Sequence, residues 1–289
     1  MPFLLLVSFV WAFSFGLIKG RLGGLDSSFI SAVRLGLALL VFLPFFRPRG
    51  LSLRLTLTLV AIGAVQFGLM YLAYNESFKH LPAHEVALFT LTTPILVTLF
   101  ADALDRTLQV RALLAALLAV AGAAVVAFKT NLVAGSLIGL GLVQLSNGAF
   151  AIGQVLYRRV RVSSPSTNDR QVFALLYAGG LAVTLPLMLA RTDFGSLALN
   201  HGQVWTLLYL GVIASGLCFF WWNLGATRVS TGTLAVFNNA KVPLAVACSL
   251  LFFNESTNLP RLLIGGGLLL AAILLAKKQT SSTDPKIRT

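Results

Sequence analysis

The sequence predicts an all-α integral membrane protein with ten transmembrane helices, and three features support this prediction. Hydrophobic residues make up 57% of the 289-residue chain, whereas charged residues make up only 11%. The mean hydropathy is +0.87. Apolar runs of membrane-crossing length recur along the whole chain. Soluble domains carry about 25% charged residues, so this chain lacks the polar residues that a water-facing surface requires.

Polar residues divide the chain into ten apolar segments, each close to the length that a transmembrane helix needs. Runs of this length are too long for the strands of a membrane barrel, and a helix satisfies its own backbone hydrogen bonds within lipid. Only short connections remain, so a large domain outside the membrane is not expected. The segments are 3–19, 29–46, 56–75, 84–101, 110–128, 134–157, 171–190, 203–223, 231–253 and 261–276.

The distribution of positive charge predicts that both termini lie in the cytoplasm. Cytoplasmic connections of membrane proteins carry an excess of Lys and Arg. With the N-terminus inside, most of the 22 basic residues fall in cytoplasmic connections or in the C-terminal tail, and Arg34 and Lys241 lie within spans. The net charge of +13 therefore fits a membrane rim in contact with lipids. No nucleic-acid motif accompanies it, so no nucleic-acid partner is predicted.

Catalytic and metal-binding motifs are absent from the sequence. The three histidines have no metal-ligand spacing, no acidic pair lies within one segment, and no Gly-rich phosphate loop occurs. Cys218 and Cys248 lie in apolar runs and are expected to be free thiols. The sequence predicts no catalytic residue, cofactor or metal, and a membrane enzyme is the alternative from another class.

The two halves of the chain resemble one another, which predicts two inverted repeats of five helices. Ala-Leu-Phe at 87–89 matches Ala-Val-Phe at 235–237, and Asn75 matches Asn223 at the same offset. Short strings match by chance between apolar helices, so the equal number of segments per half adds to the support. Because each half contains an odd number of membrane segments, the two halves enter the membrane from opposite faces, as in many transporters. The predicted units are a first repeat (1–130), a second repeat (131–278) and a cytoplasmic tail (279–289).

Several motifs follow one another in a fixed order along nearly the whole chain. The first segment contains a stretch from Trp11 to Lys19, Arg34 stands in the second, and Ala87 to Pro94 leads on to Asp105-Arg106. Together with Glu255 after the ninth segment, these motifs resemble the drug/metabolite transporter superfamily, specifically its ten-span EamA-type members.

This resemblance implies transport of small organic solutes by alternating access across a bacterial inner membrane. The substrates of such transporters are often amino acids, and export is the favoured direction. Uptake or exchange of another organic anion or amine is the alternative. We expect a monomer or a weak dimer.

The sharpest local feature is the sequence from Phe237 to Pro243 in the ninth segment, which contains Lys241. A lysine at the centre of a membrane helix costs about 2.5–3.5 kcal/mol on insertion scales, so it should face a wet cavity or a partner. Asn238 lies on the same helix face. The spacing from Phe237 to Pro243 is one residue longer than the matching spacing from Phe89 to Pro94 in the fourth segment. This extra residue predicts a bulge or local unwinding. This departs from the family's small or apolar residues before the proline.

We interpret Lys241 as the cation that pairs with a substrate carboxylate. The alternative is a structural lysine that backbone carbonyls or a neighbouring acid satisfy. Arg34 can face the cavity, form a salt bridge or extend to the outer surface, and in-span amides can line a cavity or join helices. The predicted substrate-binding residues are Lys241, Asn238, Asn239, Arg34, Gln66, Asn147, Gln144, Tyr74 and Trp11.

Two further groups have ordinary structural interpretations. Tyr74, Trp221 and Trp222 lie near segment ends, where aromatic residues are commonly interfacial anchors. His84 and Glu85 begin the fourth segment. They can couple proton movement to transport, or they can be helix-end residues in the headgroup layer.

Overall fold

The computed structural model describes residues 2–106, 134–164, 168–228, 231–253 and 258–280, together with single positions between 107 and 133. Every regular element in these ranges is a helix, as predicted. Seven helices there are long and apolar enough to cross a membrane. The predicted fifth segment, 110–128, lies largely outside the described residues, as do Glu255 and residues 281–289. The total of ten helices and the inverted repeat therefore remain predictions.

Most helices extend beyond the predicted segments at one or both ends, because polar residues continue several of them past the apolar run. They are α1 (Pro2–Leu22), α2 (Ser27–Phe42), α3 (Leu53–Gly63), α4 (Met70–His80), α5 (Ala83–Phe89), α6 (Thr93–Asp105), α7 (Ala134–Ser163), α8 (Asp169–Arg191), α9 (His201–Leu208), α10 (Cys218–Arg228), α11 (Thr231–Phe252) and α12 (Leu259–Thr280).

Two long helical rods each contain a π-helical segment. Ala64–Leu69 joins α3 to α4, and Tyr209–Leu217 joins α9 to α10. Each rod is 28 residues long, or roughly 42 Å, which exceeds a hydrocarbon core of about 30 Å. The wider π turn shifts backbone carbonyls away from the helical ladder and often occurs at functional sites. The two rods also contain Asn75 and Asn223, the residues that match between the halves.

The fourth segment is interrupted, whereas the ninth is not. A 3-10 turn, Thr90–Thr92, separates α5 from α6 just before Pro94. The bulge predicted near Pro243 is wrong, because α11 passes through that proline as one continuous α-helix. Proline removes one backbone donor, and neighbouring helices allow a membrane helix to tolerate that loss.

Side chains cap helix starts in the connections outside the spans. The Asp26 carboxylate accepts hydrogen bonds from the N–H groups of Ser28 and Phe29, at 3.0 and 3.1 Å, at the start of α2. Burial raises the pKa of the Asp26 carboxyl, but the hydrogen bond from the Ser28 hydroxyl, together with the two N–H bonds and the charge of Lys79, holds that pKa below its usual value. An ionised carboxylate at a helix N-terminus also complements the helix dipole. Asn200 and Gln203 form a capping box at the start of α9.

Glycines bring the first rod into backbone contact with α8. A Cβ atom on Gly63 would lie 2.0 Å from the carbonyl oxygen of Leu176, and one on Gly179 would lie 1.9 Å from that of Val60. Small residues permit this close approach between membrane helices. Around this contact, α2 packs on α8, α1 on α11 and α4 on α7, so the helices surround a common centre.

We expect Gly179→Ala to lower the thermal unfolding midpoint of the purified protein, because the new methyl group collides with the Val60 carbonyl. Overpacking of this kind costs about 1–3 kcal/mol. Gly141→Ala is the matched control, since nothing lies within 4 Å of its added Cβ, and helix propensity favours alanine by up to about 1 kcal/mol. Equal thermal unfolding midpoints for the two variants would contradict the close contact between Gly179 and the Val60 carbonyl.

Candidate functional site

A cavity of about 70 Å³ lies near the middle of the helix bundle. Its wall is formed by α1, α2, α4, α7, α10 and α11, with Thr90 of the 3-10 turn and Thr93 at the start of α6. This volume holds about five water molecules, at about 10–15 Å³ for each. The wall combines aromatic rings with hydroxyl and amide groups and two cationic side chains, Arg34 and Lys241.

Arg34 is buried, and neutral oxygen atoms accept hydrogen bonds from each of its three nitrogen atoms. Its Nε donates to Ser215 Oγ at 3.1 Å, one terminal nitrogen donates to the Tyr71 hydroxyl at 3.1 Å, and the other donates to Asn75 Oδ1 at 3.4 Å. The guanidinium carbon also lies 4.4 Å from the centre of the Tyr71 ring. These contacts fix the guanidinium between α2, α4 and the second π-helical segment.

Lys241 is buried with fewer partners. Its Nζ donates to Asn238 Oδ1 at 2.9 Å and lies 5.1 Å from the centre of the Trp11 ring. An ammonium has three donors, and the described residues accept a hydrogen bond from it at one atom. Among those residues no carboxylate forms an ion pair with Lys241 or Arg34. The cavity therefore contains two cationic groups and no described counter-ion.

Trp11 connects the Lys241 site to the second π-helical segment. Its Nε1 donates to the Ala214 carbonyl at 3.0 Å, and its ring packs against Phe219 and Trp222 at 4.8 and 5.0 Å between ring centres. The Tyr177 hydroxyl lies within hydrogen-bond distance of the carbonyls of the next two residues in that segment. Carbonyls that the π turn displaces thus accept hydrogen bonds from side chains at the centre of the bundle.

An amide and hydroxyl cluster surrounds the 3-10 turn between α5 and α6. Asn147 Nδ2 donates to the Phe89 carbonyl at 3.0 Å and to Thr92 Oγ1 at 2.9 Å, and Thr92 contacts Gln144 Oε1. Asn147 lines the cavity, whereas Gln144 does not. The Asn147 Oδ1 atom has no hydrogen-bond partner among the described residues. The interrupted helix therefore provides the carbonyl that orients a cavity-lining amide.

The structure separates the predicted substrate-binding residues into two groups. Trp11, Arg34, Tyr74, Asn147 and Lys241 line the cavity. Gln66, Gln144 and Asn238 are not part of its wall, although Asn238 contacts Lys241. Gln66 instead donates from Nε2 to Asn223 Oδ1 at 2.9 Å. The side chain of Asn239 lies outside the described part of α11.

The interpretation of Trp222 as an interfacial anchor is wrong. Trp222 is 1% exposed, and its Nε1 donates to Gln154 Oε1 at 2.9 Å. The predicted eighth segment stops at residue 223, but α10 continues to Arg228, so the indole lies well inside the bundle. His84 and Glu85 are also buried, and neither lines the cavity.

Sequence reasoning did not assign Tyr71, Ser215 or Phe219 to the site. Tyr71 and Ser215 complete the hydrogen bonds of Arg34, and Phe219 lines the cavity next to Trp11. Tyr71 lies one helical turn before Asn75 and therefore shares its helix face. This spacing was the one feature of the sequence that could have placed Tyr71 in the site. The position of Ser215 depends on the π-helical register, which the sequence does not reveal.

An apolar bundle of membrane-crossing helices around a largely apolar cavity with two cationic side chains in its wall fits a solute transporter of the membrane. The chain belongs to the EamA-like transporter family, whose sequence profile matches residues 1–128 and 137–277. It is an integral membrane protein of the bacterial inner membrane.

The chain is similar over nearly its whole length to curated bacterial proteins. It is 44% identical to the "Probable biotin transporter" of Pseudomonas aeruginosa over 268 residues, which cover 92% of this chain and 93% of the relative. It is 37% identical to the proteins named "Biotin transporter" of Salmonella typhimurium and Escherichia coli, with 92% and 89% covered. A solved crystal structure shares the fold, with a TM-score of 0.67 over 96% of this chain and 97% of that chain at 17% identity.

We expect Tyr71→Phe to destabilise the protein by about 1–3 kcal/mol, because it leaves a buried guanidinium donor without its acceptor. The thermal unfolding midpoint in detergent measures this effect. Tyr74→Phe removes a hydroxyl one turn further along α4 that makes no hydrogen bond to a described residue, and its midpoint should stay near that of the parent protein. A Tyr71→Phe midpoint equal to the parent's would argue against the Arg34 network.

Proposed function

We propose that this protein transports biotin, or a closely similar ureido carboxylate, across the inner membrane. The observation that carries the proposal is the buried ammonium of Lys241, which lines the cavity without a described carboxylate partner. Relatives that match 92% of this chain are named biotin transporters. Biotin carries one carboxylate and one uncharged ureido ring, and these two groups require different contacts.

Lys241 supplies the contact for the carboxylate. Arg34 donates three of its five N–H groups to neutral oxygen atoms on neighbouring helical elements, so its guanidinium is held in place. Lys241 makes one such bond and keeps donors for a ligand. An ammonium–carboxylate hydrogen bond is charge-assisted and contributes about 1.5–3 kcal/mol. Because Arg34 is bonded to two neighbouring helical elements and Lys241 hydrogen-bonds only within its own helix, Lys241 is the cation better suited to bind an anion.

The amide and hydroxyl groups of the cavity suit the ureido ring. That ring offers two N–H donors and one carbonyl acceptor. Asn147 Oδ1 can accept from an N–H group, because the amide nitrogen already donates to Phe89 and Thr92. Thr93 and Ser146 add hydroxyl groups to the same wall. The aromatic rings of Trp11, Phe150 and Phe219 provide apolar contact for the rest of the molecule.

The proposed mechanism is alternating access between two inverted five-helix repeats with both termini in the cytoplasm. The units are residues 1–130 and 131–278, followed by the tail 279–289. Two separate family matches, one in each half, and a π-helical segment in each long rod support this arrangement. The cavity volume of about 70 Å³ is too small for a metabolite, so the helices around it must separate for loading.

Amino-acid export, the expectation from the family resemblance, is the second candidate. An amino acid also carries a carboxylate, so Lys241 suits both solutes. The names of the relatives favour biotin, and an amino acid would add an ammonium to a cavity that already holds two cations. Uptake, export and exchange of either solute are distinguished by the sidedness of flux.

We expect purified protein in liposomes to move labelled biotin with saturable kinetics, and Lys241→Met to raise the half-saturating concentration about 10- to 100-fold. This range corresponds to the loss of a charge-assisted hydrogen bond. Biotin methyl ester should compete weakly against the parent protein. In the Lys241→Met variant, biotin and its methyl ester should compete equally for transport, because the ammonium that distinguishes the carboxylate from the ester is absent.

Lys79→Met is the matched control. Lys79 pairs with Glu76 near the end of α4, outside the cavity, so its loss should leave biotin flux unchanged. Saturable flux of amino acids, with none of biotin, would replace biotin with the second candidate. Biotin flux that Lys241→Met leaves intact would overturn the assignment of the carboxylate site.

A further inference from the structure

A second, larger cavity lies toward one end of the bundle, and none of the functional assignments above uses it. This crevice has a volume of about 520 Å³ and lies between α6, α7 and the end of α10. The basic connection around Arg158–Arg170 lies at this end, which is the cytoplasmic side according to the charge distribution. Its wall contains Arg158 and the ion pair between Arg159 and Asp105.

Three helices line the central cavity and the crevice with one continuous face each. On α6, Thr93 lines the cavity, and Val97, Ala101 and Asp105 line the crevice at steps of four residues. Residues three or four apart share a helix face. The two cavities therefore follow each other along the same helix surface instead of lying on different sides of the bundle.

The other two helices repeat this pattern in the same direction. On α7, Phe150 lines the cavity, while Gln154 and Arg158 line the crevice at steps of four residues. On α10, Phe219 lines the cavity and Ala226 lines the crevice. The distance along α7 from Phe150 to Arg158 is roughly 12 Å, at about 1.5 Å per residue. A short barrier therefore separates the two spaces.

The barrier contains Trp222 and Gln154. Trp222 lies between Phe219 and Ala226 on the same face of α10 and is 1% exposed. Its ring packs on Trp11 of the cavity wall, and its Nε1 donates to Gln154 Oε1 at the inner end of the crevice, at 2.9 Å. One hydrogen bond between α10 and α7 thus spans the path at this level.

The charge in the crevice favours an anion. Arg159 pairs with Asp105, so these two charges offset each other. Arg158 is half-buried in the crevice wall and forms no ion pair or hydrogen bond with a described residue. The remaining positive charge lies beside apolar Val97 and Val155. An amphipathic small carboxylate matches both the cation and the apolar surface.

We propose that this crevice is the vestibule of the transport path, in which Arg158 attracts the solute carboxylate, and that the Trp222–Gln154 hydrogen bond closes the passage to the central cavity. The proposal rests on the proposed transport function. It adds a second anion-binding position and a gate to the Lys241 site.

The gate is tested by labelling of a cavity residue, which does not depend on the solute. Cys218→Ala and Cys248→Ala give a background for Ser146→Cys, labelled with a membrane-impermeant thiol reagent from the crevice side. Removal of the hydrogen bond by Trp222→Phe or Gln154→Met should raise the labelling rate about three- to tenfold. Trp221→Phe is the control, because this neighbour makes no hydrogen bond to a described residue. Equal rates in the gate variants and the control would overturn the gate.

The vestibule is tested by the charge preference of labelling at Ala101→Cys in the same background. An anionic thiol reagent should react faster than a cationic one of similar size, and Arg158→Gln should reduce this ratio about fivefold. Arg170→Gln removes an exposed charge at the same end and should leave the ratio unchanged. An unchanged ratio in Arg158→Gln would overturn the vestibule. So would a preference that disappears when anionic phospholipids are present, because it would assign Arg158 to a lipid headgroup.

Flux from each side separates the failure of this proposal from failure of the proposed function. Arg158→Gln should raise the half-saturating biotin concentration only when biotin is supplied at the crevice side, whereas Lys241→Met should raise it from both sides. Equal changes from both sides in Arg158→Gln would contradict a vestibule. Absence of biotin flux in the parent protein would refute the biotin assignment, and the two labelling experiments would still decide the gate and the vestibule.

Discussion

The centre of this protein depends on the need to satisfy a buried guanidinium within an apolar bundle. A cation in a low-dielectric interior is costly unless hydrogen bonds or counter-charges surround it. Arg34 receives three neutral oxygen acceptors, from α4 and the second π-helical segment. Because these acceptors belong to different helices, the same contacts that stabilise the charge also fix the positions of those helices. The result is a cavity wall with a defined shape and a net positive charge.

The π-helical segments and glycine contacts make this arrangement possible. The π turn at Tyr209–Leu217 displaces carbonyls that accept from Trp11 and Tyr177, so the backbone itself contributes to the polar centre. Gly63 and Gly179 allow the other rod to approach α8 closely enough for the backbones to touch. The π turn gives up regular helix geometry and the glycines give up side chains, and in return the helices make close contacts at the centre. Such local departures concentrate where membrane proteins bind solutes.

The sequence predicts the helices and the embedded cations well, because hydropathy and charge act locally. Lys241 and Arg34 stand out as charges within apolar runs, and both line the cavity. Helix ends are harder, because α10 continues through polar residues to Arg228 and the apolar run stops earlier. Because the predicted eighth segment ended too early, Trp222 was wrongly assigned to the membrane interface. The partnership of Ser215 with Arg34 depends on a π register that tertiary packing selects, so no local pattern reveals it.

The two cavities differ in size in a way that bears on mechanism. The central space is about 70 Å³ and the crevice about 520 Å³, so the smaller space is the one at Lys241. A solute that binds Lys241 must therefore displace side chains around it, and Trp11 contacts both this ammonium and the second π-helical segment. Trp11 thus links the Lys241 site to the long rod. A ligand shifts a conformational equilibrium only through contacts that differ between states, and Trp11 is the residue through which a solute at Lys241 would act on the second π-helical segment.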